Sequence, residues 1–202
     1  MIKTVIFDLG KVIVDFDLDR FAKALASKSG YSQSYVFHYN KKSKNLLKRY
    51  EKGEISSKEF FAVFKKDLNL KMDFDEFKET CNKIFTDSDK DIEKLIKKLK
   101  KGYKLVLLSN TNEIHFDFLR KKHKIINHFD ELVLSHKEKC AKPSPLIFYK
   151  VLRKAKSKPW ECVYIDDVPL FVFVAKMMGI KAILYKGYDS LILELRKHKV
   201  IK

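Results

Sequence analysis

The chain has 202 residues, 46% of them hydrophobic, enough for one α/β domain with an inserted lobe and a sizeable core. No apolar run reaches the roughly 20 residues of a membrane-spanning helix, and Met1-Ile2-Lys3-Thr4-Val5-Ile6-Phe7 leads into a strand rather than a signal peptide, so a cytoplasmic protein is expected. The net charge of +17 would suit a polyanion, but only Arg20, Arg49, Arg120, Arg153 and Arg196 among the 43 basic residues are arginine, and the lysines spread over helix surfaces, which argues against nucleic acid as the partner.

In chain order, the apolar run Lys3–Phe7 predicts a buried strand. No strand is expected from Asp15 to Tyr103. Helical periodicity recurs there over Leu18–Ser29, Tyr35–Glu51, Lys58–Leu68 and Asp73–Phe85, and a last helix over Asp89–Lys100 leads back to the sheet. Gly53 breaks one of these helices, and Ser56-Ser57-Lys58-Glu59 has the form of a capped start for the next. Strands at Lys104–Leu108, Glu131–Leu134, Cys162–Ile165 and Lys181–Leu184 then alternate with helices at Asn112–Lys122, Pro145–Lys154 and Leu170–Met178, and Leu191–Lys202 closes the chain as a helix with a frayed tail. Such alternation predicts an open, doubly wound parallel sheet of the α/β class. Residues 1–15 and 88–202 would form that core, and residues 16–87 a helical cap inserted after the first strand, over the edge where open α/β sheets bind ligands. Cys81, Cys140 and Cys162 are odd in number and far apart, as unpaired thiols in a reducing compartment would be.

Four strand ends carry polar groups suited to chemistry. Phe7-Asp8-Leu9-Gly10 sets a carboxylate at the end of an apolar strand, beside a backbone that can turn sharply, which suits covalent attack or metal ligation; alone, it reads equally as a turn aspartate. Leu108-Ser109-Asn110-Thr111 ends a strand in hydroxyl and amide groups that can hold an anion or simply cap a helix. Lys142, in Lys139-Cys140-Ala141-Lys142-Pro143-Ser144-Pro145, is fixed by prolines before a helix and could neutralise a phosphoryl group and a carboxylate. Tyr164-Ile165-Asp166-Asp167 ends a strand in two adjacent acids, whose repulsion a hard cation such as magnesium (Mg2+) relieves. A carboxylate, a hydroxyl, a lysine and an acid pair along one sheet edge outline a phosphate and metal site.

In this order FDLGKVIVDFD, LSNTN, KPSPLIF and YIDD, with Met178-Gly179-Ile180 before the last strand, resemble the four motifs of the haloacid dehalogenase superfamily over essentially the whole chain. In texture they are similar to small bacterial sugar-phosphate phosphatases of the glucose-1-phosphatase kind and to the N-terminal phosphatase domain of soluble epoxide hydrolases. The resemblance implies that Asp8 attacks phosphorus to form an aspartyl phosphate, and that Ser109 and Lys142 bind the phosphoryl group with the backbone of Asn110. It further implies magnesium held by Asp8, the Gly10 carbonyl, Asp167 directly and Asp166 directly or through water. The partner it implies is a small phosphorylated metabolite, with a sugar phosphate foremost, and the insertion would be a cap that closes over the site.

Two departures stand out. Gly10 occupies the position where phosphatases of the superfamily usually carry a second aspartate as general acid and base; Asp15 or Asp17 would have to fold back to replace it, and an anomeric, acyl or aryl phosphate would need it less. Phe171 stands where relatives often have a polar residue, which would withdraw a hydrogen bond from Lys142. These keep a catalytically impaired regulatory protein as one alternative; metal-independent dehalogenation is another, against which the acid pair argues. His115, His123, His128 and His136 follow no metal-ligand spacing and are expected at the surface or in helix packing, and the phenylalanines Phe60, Phe61, Phe64, Phe74, Phe77 and Phe85 in the core of the cap. Tyr50, Glu51 and Glu54 beside Gly53 are candidates for cap specificity.

Overall fold

The structure is a computed structural model that describes residues 1–202, with side chains for all but residues 40–42. From the N-terminus run β1 (Thr4–Phe7), β2 (Val14–Phe16), α1 (Leu18–Ala26), α2 (Gln33–Lys42), α3 (Lys44–Glu51), α4 (Ser57–Asp67), α5 (Phe74–Asn82) and β3 (Phe85–Ser88). There follow α6 (Lys90–Leu99), β4 (Lys104–Ser109), α7 (Glu113–Lys122), β5 (Glu131–Leu134) and the single turn α8 (Ser135–Glu138). The chain ends with α9 (Pro145–Ala155), β6 (Cys162–Asp166), α10 (Pro169–Met177), β7 (Lys181–Leu184) and α11 (Tyr188–Lys197).

Five strands make one parallel sheet in the order β5-β4-β1-β6-β7. Their runs are apolar throughout because both faces are covered. Val5, Phe7, Leu105, Leu107, Val163 and Ile165 point to one side, against Ile92, Leu95, Ile96 and Leu99 of α6, Phe116 and Leu119 of α7, and Leu191 and Leu195 of α11. Their neighbours Ile6, Val106, Leu108, Cys162 and Tyr164 point to the other, against Ile147, Phe148 and Val151 of α9 and Val172 and Ala175 of α10. The predicted doubly wound sheet is therefore present, with a helical layer on each side. From β1 the chain builds outward through β4 to β5, then crosses to β6 and β7, so the strand order reverses at β1. Ligands of such sheets bind at this reversal, beyond the carboxyl ends of the strands.

Helices α1–α5 pack around Phe21, Leu25, Tyr50, Phe60, Phe64, Leu68 and Phe77, and Ile114 of α7 joins this second core. The expected capping box is formed: Ser56 Oγ accepts from the Glu59 N–H, and the Glu59 carboxylate accepts from the Ser56 N–H. Asp73 and Glu76 make a second one at the start of α5. Two expectations for this segment are corrected. A strand does lie between Asp15 and Tyr103: β3 pairs antiparallel with β2, Phe16 opposite Phe85, so the chain leaves for the helices and returns from them along one two-stranded ribbon. Each strand is only three or four residues long and half exposed, too short for an alternating pattern to show. The single helix expected over Tyr35–Glu51 is two, separated at Ser43, whose ψ of 13° departs from helical values. Serine competes for its own backbone hydrogen bonds and favours such breaks.

Among the described residues no helix is long and apolar enough to cross a membrane. All three cysteines are free and buried.

Candidate active site

Asp8 follows β1 directly, and its N–H continues the ladder to Ile165 O at 2.9 Å, which places its carboxyl at the strand reversal, only 7% exposed. The chain then turns sharply: Ile13 N and Val14 N both donate to Leu9 O at 3.0 Å, and Lys11 takes the left-handed φ of 58°. Gly10 sits inside this turn, beneath the Phe16 ring. A Cβ there would lie 3.0 Å from Phe16 Cε1, so any larger residue requires the ring to move.

On either side of β1, β4 ends at Ser109 and β6 at Asp166, both buried. Lys142 enters from the loop before α9 and is buried to 4% exposure. Its Nζ stands 2.8 Å from Asp8 Oδ1 and 2.6 Å from Asp166 Oδ2. Its backbone is clamped from β4, because the Asn110 side chain accepts from Lys142 N at 2.8 Å and donates to Lys142 O at 2.9 Å. Asn110 thus also serves through its side chain, as a positioning group. Phe171 does not leave the lysine unsupported: its ring lies 5.0 Å from Nζ, within cation–π range.

Asp166 is wholly buried and accepts three donors, Lys142 Nζ, the Tyr164 hydroxyl and Val168 N at 2.8 Å. Tyr164 went unnoticed in the sequence, although a signal was there: in a strand, residues two apart share a face, so Tyr164 and Asp166 lie on the same side. Asp167 is half-buried, and one carboxylate oxygen from each of Asp8, Asp166 and Asp167 falls within 4.8 Å of the others.

The electrostatics follow from three carboxylates facing one buried ammonium. Burial is the largest influence on Asp8 and, with the Asp166 charge, outweighs the pull of Lys142, pushing the carboxyl up to about 6. Burial and Asp166 likewise raise Asp167. Burial opposes the charge of Lys142, but Asp8 and Asp166 overcome it and hold the ammonium above its ordinary range. Uncompensated negative charge, displayed by hard oxygen atoms around one point, is the donor set that fits a divalent cation such as magnesium.

The expected residues Asp8, Lys142, Asp166 and Asp167 are therefore brought into one cluster, with Ser109 and Asn110 at the end of the adjoining strand and Gly10 in the turn after Asp8. Asp15 and Asp17 do not fold back to replace a carboxylate at position 10. Asp15 is exposed and paired with Lys11, and Asp17 caps α1 through Asp19 N. Of the cap candidates, Tyr50 is buried with its hydroxyl 2.9 Å from Ser57 Oγ, and Glu54 pairs at the surface with Arg49 and Lys52. His115 packs edge-on against Phe85 and His123 is buried, as helix-packing histidines.

A parallel sheet with a carboxylate, a lysine and an acid pair at its reversal defines a hydrolase of the haloacid dehalogenase kind. The family model described as haloacid dehalogenase-like hydrolase matches residues 2–169, and the chain belongs to that family. It is 27% identical over 185 residues to a D-ribitol-5-phosphate phosphatase of Bacteroides thetaiotaomicron, covering 89% of each chain. Among solved structures it is similar to a family enzyme of Bacteroides thetaiotaomicron in complex with magnesium and inorganic phosphate (28% identity, TM-score 0.86, 96% of this chain and 99% of that one). A family hydrolase of Porphyromonas gingivalis shares the fold at 22% identity, with a TM-score of 0.85 and 98% of each chain covered.

Proposed function

We propose that this protein is a magnesium-dependent phosphohydrolase of small phosphorylated metabolites, with sugar and sugar-alcohol phosphates foremost. The observation that carries this reading is the Asp8–Lys142–Asp166 cluster at the strand reversal, with Asp167 beside it. The phosphatase name of one relative and the magnesium and phosphate bound in another support it.

In this reading an Asp8 oxygen attacks phosphorus in line with the leaving oxygen and becomes an aspartyl phosphate, which water then hydrolyses. Lys142 turns from its carboxylate partners toward the phosphoryl oxygens without leaving the cluster, and Ser109 and the backbone N–H of Asn110 donate to the same oxygens. Asp8, the Gly10 carbonyl and Asp167 would hold the metal, together with Asp166, which already accepts three donors, either directly or through water. Bound there, magnesium supplies charge neutralisation between the anionic nucleophile and the anionic phosphoryl group. Residues 16–87 act as a cap whose closure excludes water, and the β2–β3 ribbon is its connection to residues 1–15 and 88–202. Dehalogenation needs no metal, so the acid pair favours phosphate chemistry.

Phosphate release from a panel of aryl, acyl, sugar and sugar-alcohol phosphates tests this reading, with magnesium or with chelator. Turnover that requires the metal is expected. A well-folded protein that releases phosphate from none of them would point instead to a regulatory member of the family.

A further inference from the structure

The turn after Asp8 offers no second carboxylate: position 10 is glycine under the Phe16 ring, Asp15 is paired with Lys11, and Asp17 caps α1. A phosphohydrolase acting on alkyl phosphates still has to protonate its leaving group. Another acid, Glu51, lies on a helix whose end is hydrogen-bonded to this edge of the sheet.

Glu51 is the last residue of α3. Its carbonyl accepts from Ser135 Oγ at 2.5 Å, and the same oxygen accepts from Thr111 N at 2.9 Å, so the end of α3 is two hydrogen bonds from the loop that follows Ser109. The next turn is docked as closely. Gly53 has a φ of 63°, a Cβ there would lie 2.3 Å from His136 O, and Lys139 Nζ donates to Gly53 O at 2.5 Å. This corner of the helical segment is thereby fixed to the sheet edge. The half-buried carboxyl of Glu51 feels the Lys142 ammonium more strongly than that of Lys48, one turn back in its own helix.

Resting on the phosphohydrolase reading above, we propose that Glu51 is the general acid and base of this site, delivered by the helical segment in place of the carboxylate that position 10 lacks. As Asp8 forms its bond to phosphorus, the bond to the leaving oxygen breaks with its electron pair, and that oxygen takes the Glu51 proton and departs as the alcohol. The Glu51 carboxylate then removes a proton from water as the water oxygen bonds to phosphorus. The acyl-phosphate P–O bond breaks toward Asp8, and Glu51 is protonated again.

Burial pushes the Glu51 carboxyl up to about 7, against the pull of Lys142 and then of Lys48, so both protonation states are populated near neutrality. Several other charged groups around α3 have partners of their own. His136 and Lys139, from the α8 turn, bond to Thr111 O and Gly53 O. Glu113 of α7 reaches α3 through Ser57 and the Tyr50 hydroxyl, and Tyr39 of α2 donates to Asp67.

The test is kcat/KM for aryl and alkyl phosphates of rising leaving-group pKa, with magnesium, for the native protein, Glu51→Gln and Lys48→Met. In Glu51→Gln, alkyl phosphates should lose about 10²–10³-fold while the most acidic phenol leaving group loses little, so the dependence on leaving-group pKa steepens. Activity of the native protein toward alkyl phosphates should fall above about pH 7, where Glu51 loses its proton, and this limb should vanish in Glu51→Gln. Lys48 is exposed, and removing its charge should move the limb to higher pH, a readout that stands even if Glu51→Gln folds poorly. An unchanged leaving-group dependence in an active Glu51→Gln protein, or a limb that Lys48→Met leaves in place, would overturn the assignment of Glu51 and leave the phosphohydrolase reading intact. No phosphate release by the native protein would overturn that reading and this assignment with it.

Discussion

At the carboxyl edge of the sheet, Asp8, Lys142 and Asp166 are fixed by ion pairs and hydrogen bonds whose partners come from the ends of three strands and the loops beyond them. Helices α1–α5 are held mainly by rings against rings: Phe60 lies 4.7 Å from Phe64 and stacks on Tyr50 at 4.4 Å, and Phe61 lies 4.9 Å from Phe77. The first arrangement is directional, since a buried charge tolerates one geometry and is costly without its partner. The second rests on buried area and tolerates adjustment. Where the two regions meet, a short polar chain crosses from Tyr50 to Ser57 and on to Glu113 of α7, where Ser57 Oγ donates at 2.7 Å.

Substitutions in each region should separate these two kinds of support, and the largest effect is expected at the sheet edge. Lys142→Met leaves two buried carboxylates facing each other, so phosphate release should fall by about 10³-fold and unfolding free energy by about 3–5 kcal/mol, read by initial rates and urea denaturation. Near-native stability in that variant would mean the pair is not the anchor described. Phe64→Ala should cost a similar 3–5 kcal/mol through the cavity it opens, but with a different distribution. Hydrogen exchange should quicken in α1, α4 and α5 while β1, β4 and β6 keep their protection; uniform loss across the molecule would show that the two cores unfold as one. Tyr164→Phe removes one of three donors to Asp166, for about 1–2 kcal/mol and a roughly tenfold loss of activity if the acid loses its aim. A variant as active and stable as the native protein would reduce the tyrosine to packing.

The contrast also explains what could be read from the chain alone. Strand ends are local: an apolar run stopping at a polar residue is visible in Phe7-Asp8, Leu108-Ser109 and Ile165-Asp166, and those strands lie within a residue of where they were expected. The cluster could be assembled because the parallel order of the strands sends all these ends to one edge. Lys142 belonged to it through its prolines and its motif; that Asn110 clamps its backbone is a tertiary fact that no local pattern carries. In the helical segment Phe60, Phe64 and Phe77 are buried as expected and Phe61, Phe74 and Phe85 are half-buried against them, but β3 was hidden in Phe85-Thr86-Asp87-Ser88, which has a single apolar residue. The break at Ser43 was hidden by periodicity continuing through it. Glu51 was legible only as a candidate for cap specificity beside a glycine, since its burial and its exposure to the charge of Lys142 depend on how α3 docks against α8.

The most direct measurement is chemical trapping of the nucleophile. Enzyme turning over an activated phosphate in the presence of magnesium is quenched, reduced with borohydride and mapped by mass spectrometry. Aspartyl phosphate at Asp8 should appear as homoserine at position 8, absent without magnesium and absent from Asp8→Asn; steady phosphate release with position 8 unmodified, or a trapped residue elsewhere, would contradict the account.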